Sequence, residues 1–523
     1  MKRNAIILAA GKGTRMKSLN QEISKVGFEI LGKPLINWVL DAAKPHVTGR
    51  TVVIVGFGGE HTSKLVEGKA EIAWQHEQKG TGHAIIQTAP LLEKEKGDTL
   101  ILSGDVPLIT EHSISGLLNL HTKEKNDLTI LTAKPDNPFG YGRVLRAPNG
   151  EVTRIVEQKD LTGNEGDISE VNAGMYVVNN QKLFQELKNL KPNNKQGELY
   201  LTDIIGLFKE RGYKVGAFVL SDPDEMLGTN DRAQLAEAAE LLKKRINKAH
   251  MLNGVTLEDP NNTYIGPDVT IGQDTIISPN TTILGNSTIG VANEIGPNTY
   301  LKNMKIGDYN SIIYSYLVDS EICNNVTIGP FARMRQKALV KDGSHIGNFV
   351  ELKNTTFHEG VKAGHLAYMG DAELGAHTNV GAGAITANYD GVNKSKTKVG
   401  ENVFIGTNTT LVAPLQIGEG SYLAAASIIN KDVPKDTLAI ARSRQENKEG
   451  YFLVYKRVIN RIVEMIEEVN PKYKFAKSFA SSIVEGAIHQ HFLKDHLTTI
   501  TNCNQNTSVT DFYIDLIEKT LNP

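Results

Sequence analysis

The chain has 523 residues, with 57 Lys and Arg against 59 Asp and Glu and a formal net charge of -2; at about 150 residues per domain, that length predicts two to four domains. Forty percent apolar and 22% charged residues exclude a disordered chain, and the balanced charge excludes a general nucleic-acid binder. Two cysteines, Cys323 and Cys503, cannot build a disulfide framework and fit a reducing, cytoplasmic setting, and no apolar run approaches the ~20 residues of a membrane span.

Residues 1–228 alternate strand-like and helix-like stretches. Strands are predicted at Ala5–Ala9, Val52–Val55, Thr99–Leu102, Leu128–Leu131 and Val171–Val178, with helices such as Pro34–Ala43 and Ser113–His121 between them. That alternation predicts an α/β domain with a mostly parallel, Rossmann-like sheet, whose ligands sit at the carboxyl ends of the strands. The first strand runs into Gly11-Lys12-Gly13-Thr14-Arg15. Gly11 and Gly13 let backbone amides approach phosphate oxygens, and Lys12 and Arg15 supply positive charge for a triphosphate.

The nine residues Leu8-Ala9-Ala10-Gly11-Lys12-Gly13-Thr14-Arg15-Met16 resemble the signature of sugar-1-phosphate nucleotidyltransferases. The resemblance implies that Leu8, Ala9, Ala10 and Gly11 touch the nucleotide and that Gln75, Gly80 and Thr81 read a uracil, whose edge a Gln amide and backbone groups complement. The same resemblance implies that Ser103 and Gly104 are substrate contacts. Asp105, at the end of the strand Thr99–Leu102, is placed to hold Mg²⁺, which prefers oxygen ligands and substrate phosphates. Asn230 matches the family's second metal ligand and also a nucleotide contact. Gly142, Glu157 and Asn172 match positions that bind an N-acetylhexosamine, and Gln196–Asp203 matches the family as well. Lys25 resembles the phosphate-binding lysine, although the loop from Lys17 to Ser24 is longer than the family's and Ser24 stands where a proline is usual. Arg15 and Lys25 are then the catalytic cations of an in-line attack on the α-phosphorus of UTP.

Residues 229–250 are rich in Ala, Leu, Glu and Lys and lack Gly and Pro, which predicts a linker helix. Beyond it, Ile265, Ile271, Ile277, Ile283, Ile289, Ile295 and Leu301 recur every six residues, and so do Val399, Ile405, Leu411, Ile417, Leu423 and Ile429. A hexapeptide period is the mark of a parallel β-helix whose aliphatic residues point inward. The period is disturbed between about 307 and 398, where the unusual polar residues gather.

That stretch contains Arg333-Met334-Arg335, Glu351-Leu352-Lys353, His365-Leu366-Ala367-Tyr368, Asn379-Val380-Gly381-Ala382 and Asn388-Tyr389-Asp390-Gly391. Residues 1 to about 445 closely resemble the family of bifunctional N-acetylglucosamine-1-phosphate uridylyltransferase / glucosamine-1-phosphate N-acetyltransferases. A left-handed β-helix acetyltransferase domain over 251–447 is implied. Acetyl transfer needs a neutral amine, and His365 is the base that takes its proton; Glu351 or Asp371 orients the ring. Arg335 and Lys353 grip the sugar phosphate, and Tyr368, Asn379, Asn388 and Tyr389 supply neutral hydrogen bonds. By the same resemblance Ala382, Thr407, Ala425 and Arg442 line the acetyl-CoA groove, with Thr407 where Ser is frequent and Ala441–Gln445 departing from Ser-Arg-x-Pro. A homotrimer with acetyl-CoA between subunits is implied. His345, His358 and His377 read as structural, and His489, His491 and His496 as solvated.

Phe452, Tyr455, Ile459, Ile462, Ile466 and Val469 have helical spacing, so residues 448–523 form a helical extension whose role stays open. The leading expectation is a two-step enzyme that acetylates glucosamine-1-phosphate and then uridylylates N-acetylglucosamine-1-phosphate, releasing pyrophosphate. Two alternatives stand beside it: a single-activity nucleotidyltransferase on a scaffold β-helix, and a non-catalytic sugar-nucleotide sensor. His365 and its neighbours argue against the first, and intact Arg15, Lys25, Asp105 and Asn230 against the second.

Overall fold

A computed structural model describes residues 2–20, 22–192, 194–447 and 449–469, together with 477–478 and 480–481. Two compact units divide at 441/442.

The first unit opens with a mixed sheet. Its strands lie in the order Val215–Val219, Leu128–Ala133, Val171–Asn179, Asp98–Ser103, Arg3–Ala9, Thr51–Val55 and Glu71–Trp74. Val171–Asn179 runs antiparallel to both neighbours, and the other pairs along this path are parallel. All five strands expected from sequence form. Glu71–Trp74, Val215–Val219 and the hairpin Arg143–Arg146 with Val152–Val156 were not anticipated. Side chains alternate between two cores, Ile7, Val53 and Leu102 on one face and Ile6, Ile54 and Ile101 on the other. Burial on both faces explains why these central strands read as continuous apolar runs. The geometry leaves Leu8–Gly11 and Ser103–Asp105 side by side at the carboxyl ends of adjacent parallel strands.

The predicted linker is the helix Arg232–Leu252, capped by Asp231, whose carboxylate accepts from the amides of Ala233 and Gln234. It is packed along its length. Ala238 and Leu242 join Ile30, Leu35 and Leu108 in one small core, while Lys243 and Asn247 donate to the carbonyls of Asn261, Pro260 and Thr263 at the start of the next region.

From residue 256 onward, short strands stack into three parallel sheets of 11, 10 and 9 strands, the walls of a parallel β-helix. Each wall has one inward column: Ile277, Ile295, Ile312, Ile328 and Ile346 on the first, Ile283, Leu301, Leu317, Met334 and Leu352 on the second, Ile289, Ile306, Ile322, Val340 and Phe357 on the third. The stack is continuous through 307–398. The period is disturbed there because several steps shorten to five residues, as at Ile312, Leu317 and Ile322, and because Asn388–Lys396 is inserted before Thr397–Val399. A buried polar ladder reinforces one corner: Asn310 donates to Asn293 Oδ1 at 3.0 Å, and the Val326 amide donates to Asn310 Oδ1 at 2.8 Å.

The second unit contains the helix Tyr451–Val469 at the expected position, with Ile459, Ile462 and Ala480 in a small core of its own. Cys503, His489, His491 and His496 lie outside the described residues. Among the described residues no helix is long and apolar enough to cross a membrane.

Candidate active sites

The glycine loop hangs from the central strand. Gly13 is left-handed (φ 58°), and a Cβ there would press on Lys25 Cβ at 2.8 Å, so glycine is required twice over. Gly11 has open space where its Cβ would be. Gly104 donates its amide to Leu8 O at 2.9 Å and ties the two strand ends together. Lys25 Nζ donates to Asp105 Oδ2 and, at 3.1 Å, to Asn230 Oδ1. Thr229 holds this arrangement, its amide on Asp105 O at 2.9 Å, and Gln234 Oε1 accepts from the Asn230 amide at 2.9 Å. Three residues distant in sequence thus meet at one point. A carboxylate oxygen and an amide oxygen converge on a single ammonium, which is the donor set a hard divalent cation takes. Arg15 is exposed and has no partner among the described residues.

Gln75 is buried and donates to Gly80 O at 3.2 Å, next to His83 Nδ1 at 3.1 Å. Gly80 (φ 101°) lies so near Leu199 O that a Cβ would fall 2.5 Å from it. The Thr81 hydroxyl accepts from the Leu201 amide at 3.0 Å. Gln78, which sequence reasoning passed over, donates to Ala10 O at 3.0 Å and couples this loop to the glycine loop. Ser103 Oγ donates to Gly174 O at 3.3 Å.

Gly142, Glu157 and Asn172 also come together. The Asn172 amide donates to Gly142 O at 2.9 Å, and its side chain donates to Tyr176 Oη at 2.8 Å. A Cβ on Gly142 would approach the Glu157 carboxylate to 3.3 Å. Burial pushes the Glu157 carboxyl above the usual range, against a hydrogen bond from Thr202 and with Asp160 and Asp203 adding to the rise. Glu157, Tyr200 and Thr202 face a cavity of about 410 Å³.

In the β-helix, His365 ends the strand Lys362–His365 and pairs in register with Asn348. Its Nδ1 lies 2.6 Å from Asn348 Oδ1. The ring's partner is therefore an amide, and neither carboxylate expected for that role takes it. Glu351 instead accepts from Arg335 Nε at 2.7 Å. Asp371 accepts from Lys353 at 3.0 Å, from Asn354 at 2.6 Å and from Asn388. Burial raises the Asp371 carboxyl, but these hydrogen bonds outweigh it and hold the group below its usual range. Asn348 has no sequence signal beyond lying one coil, 17 residues, before His365.

The turn after His365 is one corner of the helix. Ala382, Thr407 and Ala425 stack over it in successive coils, with Asn408 N on Ala382 O at 2.8 Å and Ala426 N on Thr407 O at 2.7 Å. Arg335, Lys353 and Gly370 are register neighbours on the next wall, and Tyr368 lies over Gly370. Asn379 sits on the wall of His365, three residues before Ala382. Tyr389 stands apart, 59% exposed, its hydroxyl donating to Gly391 O at 2.5 Å. Arg442 is an exposed residue of the second unit. His345 and His358 have local partners in Thr327 and Glu373.

A family profile described as nucleotidyl transferase matches residues 4–231. The chain is 48% identical over 451 residues to the Bifunctional protein GlmU of Streptococcus thermophilus (strain CNRZ 1066), covering 86% of this chain and 97% of that one. It is 47% identical over 451 residues to the protein of the same name from Geobacillus sp. (strain WCH70), covering 86% and 98%. The chain belongs to the bifunctional GlmU family. It is a two-activity transferase of UDP-N-acetylglucosamine synthesis, joining acetyl transfer to uridylyl transfer.

Proposed function

We propose that the two activities run at the two residue sets described above. Residues 1–228 carry uridylyl transfer, the 229–250 helix links them to the acetyltransferase over 251–447, and 448–523 is a helical extension to which no role is assigned. The observation that carries the first half is the convergence of Lys25, Asp105 and Asn230. Asp105 and Asn230 would hold Mg²⁺, which supplies charge neutralisation to the phosphates when bound. Lys25 and Arg15 position the α-phosphate of UTP, and Gln75 with the Gly80–Thr81 backbone holds its uracil. The sugar lies against Gly142, Glu157 and Asn172. A phosphate oxygen of N-acetylglucosamine-1-phosphate attacks the α-phosphorus in line, the α–β bridging bond breaks, and pyrophosphate leaves with that oxygen.

In the β-helix, Asn348 Oδ1 accepts the Nδ1 proton of His365 and leaves Nε2 with a free lone pair. Nε2 takes the proton of the glucosamine-1-phosphate amine as that nitrogen bonds to the thioester carbonyl. The carbon–sulfur bond breaks, and the proton passes to the sulfur of CoA. Arg335 and Lys353 bind the sugar phosphate, with Tyr368, Asn379, Asn388 and Tyr389 on the remaining polar groups. Ala382, Thr407 and Ala425 line the pantetheine path above His365. Assembly as a homotrimer is supported by Tyr314, Phe331, Phe349 and Leu366, four exposed bulky residues at positive φ on successive coils of one corner, and a cytoplasmic setting by a composition with only two cysteines.

Asp105→Asn tests the assignment. Uridylyl transfer falls ~100-fold or more, while acetyl transfer, read as thiol release, is unchanged; undiminished uridylyl transfer removes Asp105 from the site.

A further inference from the structure

The extended loop leaves the uridylyl site at Met16, the last residue of the turn Thr14–Met16, and returns at Lys25, the first residue of the turn Lys25–Gly27. A longer excursion gives its two ends more freedom to lose when they are brought together. Lys25 nevertheless has to finish on Asp105 and Asn230. Support from outside the loop is therefore needed at both ends.

One side chain touches both. Arg232 Nε donates to Met16 O at 3.1 Å, and the Arg232 guanidinium lies 5.1 Å from the centre of the Phe28 ring. Met16 is buried. Phe28 directly follows the turn Lys25–Gly27 and packs against the small core of Ile30, Leu35, Ala238 and Leu242. Arg232 thus bridges the exit and the return of the loop from the first turn of the helix Arg232–Leu252. That helix start is itself fixed, because the Asp231 carboxylate caps it and Gln234 accepts from the Asn230 amide. Asn230 and Arg232 are presented together, the first to Lys25 and the second to the loop ends.

The helix gains nothing from a cation at this position. A positive charge in the first turn faces the positive end of the helix dipole, and no carboxylate among the described residues pairs with Arg232. The bridging contact accounts for the arginine where helix stability does not. A guanidinium offers a planar face to Phe28 and, at Nε, a fixed donor to Met16 O at the same time.

We propose that Arg232 is a positioning residue for uridylyl transfer, holding the two ends of the extended loop together and so setting Lys25 and the glycine loop in one geometry. The inference rests on uridylyl transfer taking place at Lys25, Asp105 and Asn230.

The test compares Arg232→Met and Arg232→Lys with wild type on the full chain. Methionine is a good helix former that removes the donor and the charge, and lysine keeps the charge without the planar fork. Pyrophosphate release is followed with UTP and N-acetylglucosamine-1-phosphate varied in turn, while acetyl transfer and the thermal midpoint report folding. In Arg232→Met the kcat of uridylyl transfer should fall about tenfold, as for a displaced phosphate-binding group, and Arg232→Lys should recover part of that loss. The KM for N-acetylglucosamine-1-phosphate, acetyl transfer and the thermal midpoint stay at their wild-type values. An unchanged kcat in Arg232→Met, with wild type active, overturns the inference alone. So does a slower reaction that comes with a lower midpoint or an equal rise in the KM for the sugar phosphate, since either marks a general structural role. A wild-type chain that releases no pyrophosphate overturns it together with the reading beneath it.

Discussion

An amide on Nδ1 fixes the tautomer of His365 without adding charge to the ring. A carboxylate in its place would add a negative charge beside Nδ1 and favour the imidazolium over the neutral ring. Because the base works deprotonated, Asn348→Asp should move the acidic limb of the acetyl-transfer pH profile upward. Asn348→Ala should lower kcat roughly tenfold without moving the limb. Identical limbs in wild type and Asn348→Asp would separate Asn348 from the base. Glu157 poses the opposite problem. Its folded carboxyl is raised by burial, so its stability contribution is present below the ordinary carboxylate range and lost as pH rises through the folded value. Glu157→Gln abolishes that loss. Between pH 5 and 8 its thermal midpoint should gain on wild type by roughly 2 °C, while the KM for N-acetylglucosamine-1-phosphate rises; a falling midpoint contradicts the assigned burial cost.

At the scale of elements, local chemistry made the glycine turn, the strand ends and the six-residue period readable. Inward aliphatics spaced by six need only the sequence, and Ile265 through Leu301 form their strands in that register. The same rule failed between 307 and 398 because a corner also closes in five residues, a length set by stacking on neighbouring coils. Residues that meet across coils, such as Asn348 and His365 or Asp371 and Asn388, carry no local pattern at all. Replacement of proline by Ser24 has a visible reason. Its hydroxyl meets Thr62 in a buried contact, and Thr62 donates onward to Gly58 O at 3.2 Å. Ser24→Ala should cost about 1 kcal/mol in denaturant unfolding and raise the KM for UTP through Lys25; equal stability would show that the bond contributes nothing.

Across the whole molecule, a mixed α/β sheet and a parallel β-helix carry separate sets of polar residues within one compact unit. The helix Arg232–Leu252 packs on both, and Lys33 meets Asp268 at 3.2 Å, so the two regions are in contact while their candidate sites share no residue. Separability of the two activities follows from it. Its most direct test is a pair of product assays, pyrophosphate release and thiol release, on wild type, Asp105→Asn and His365→Ala. Wild type is expected to run both reactions, Asp105→Asn to lose only pyrophosphate release, and His365→Ala to lose only thiol release. A wild-type chain that releases no thiol, or a single substitution that abolishes both products in a folded protein, would contradict it.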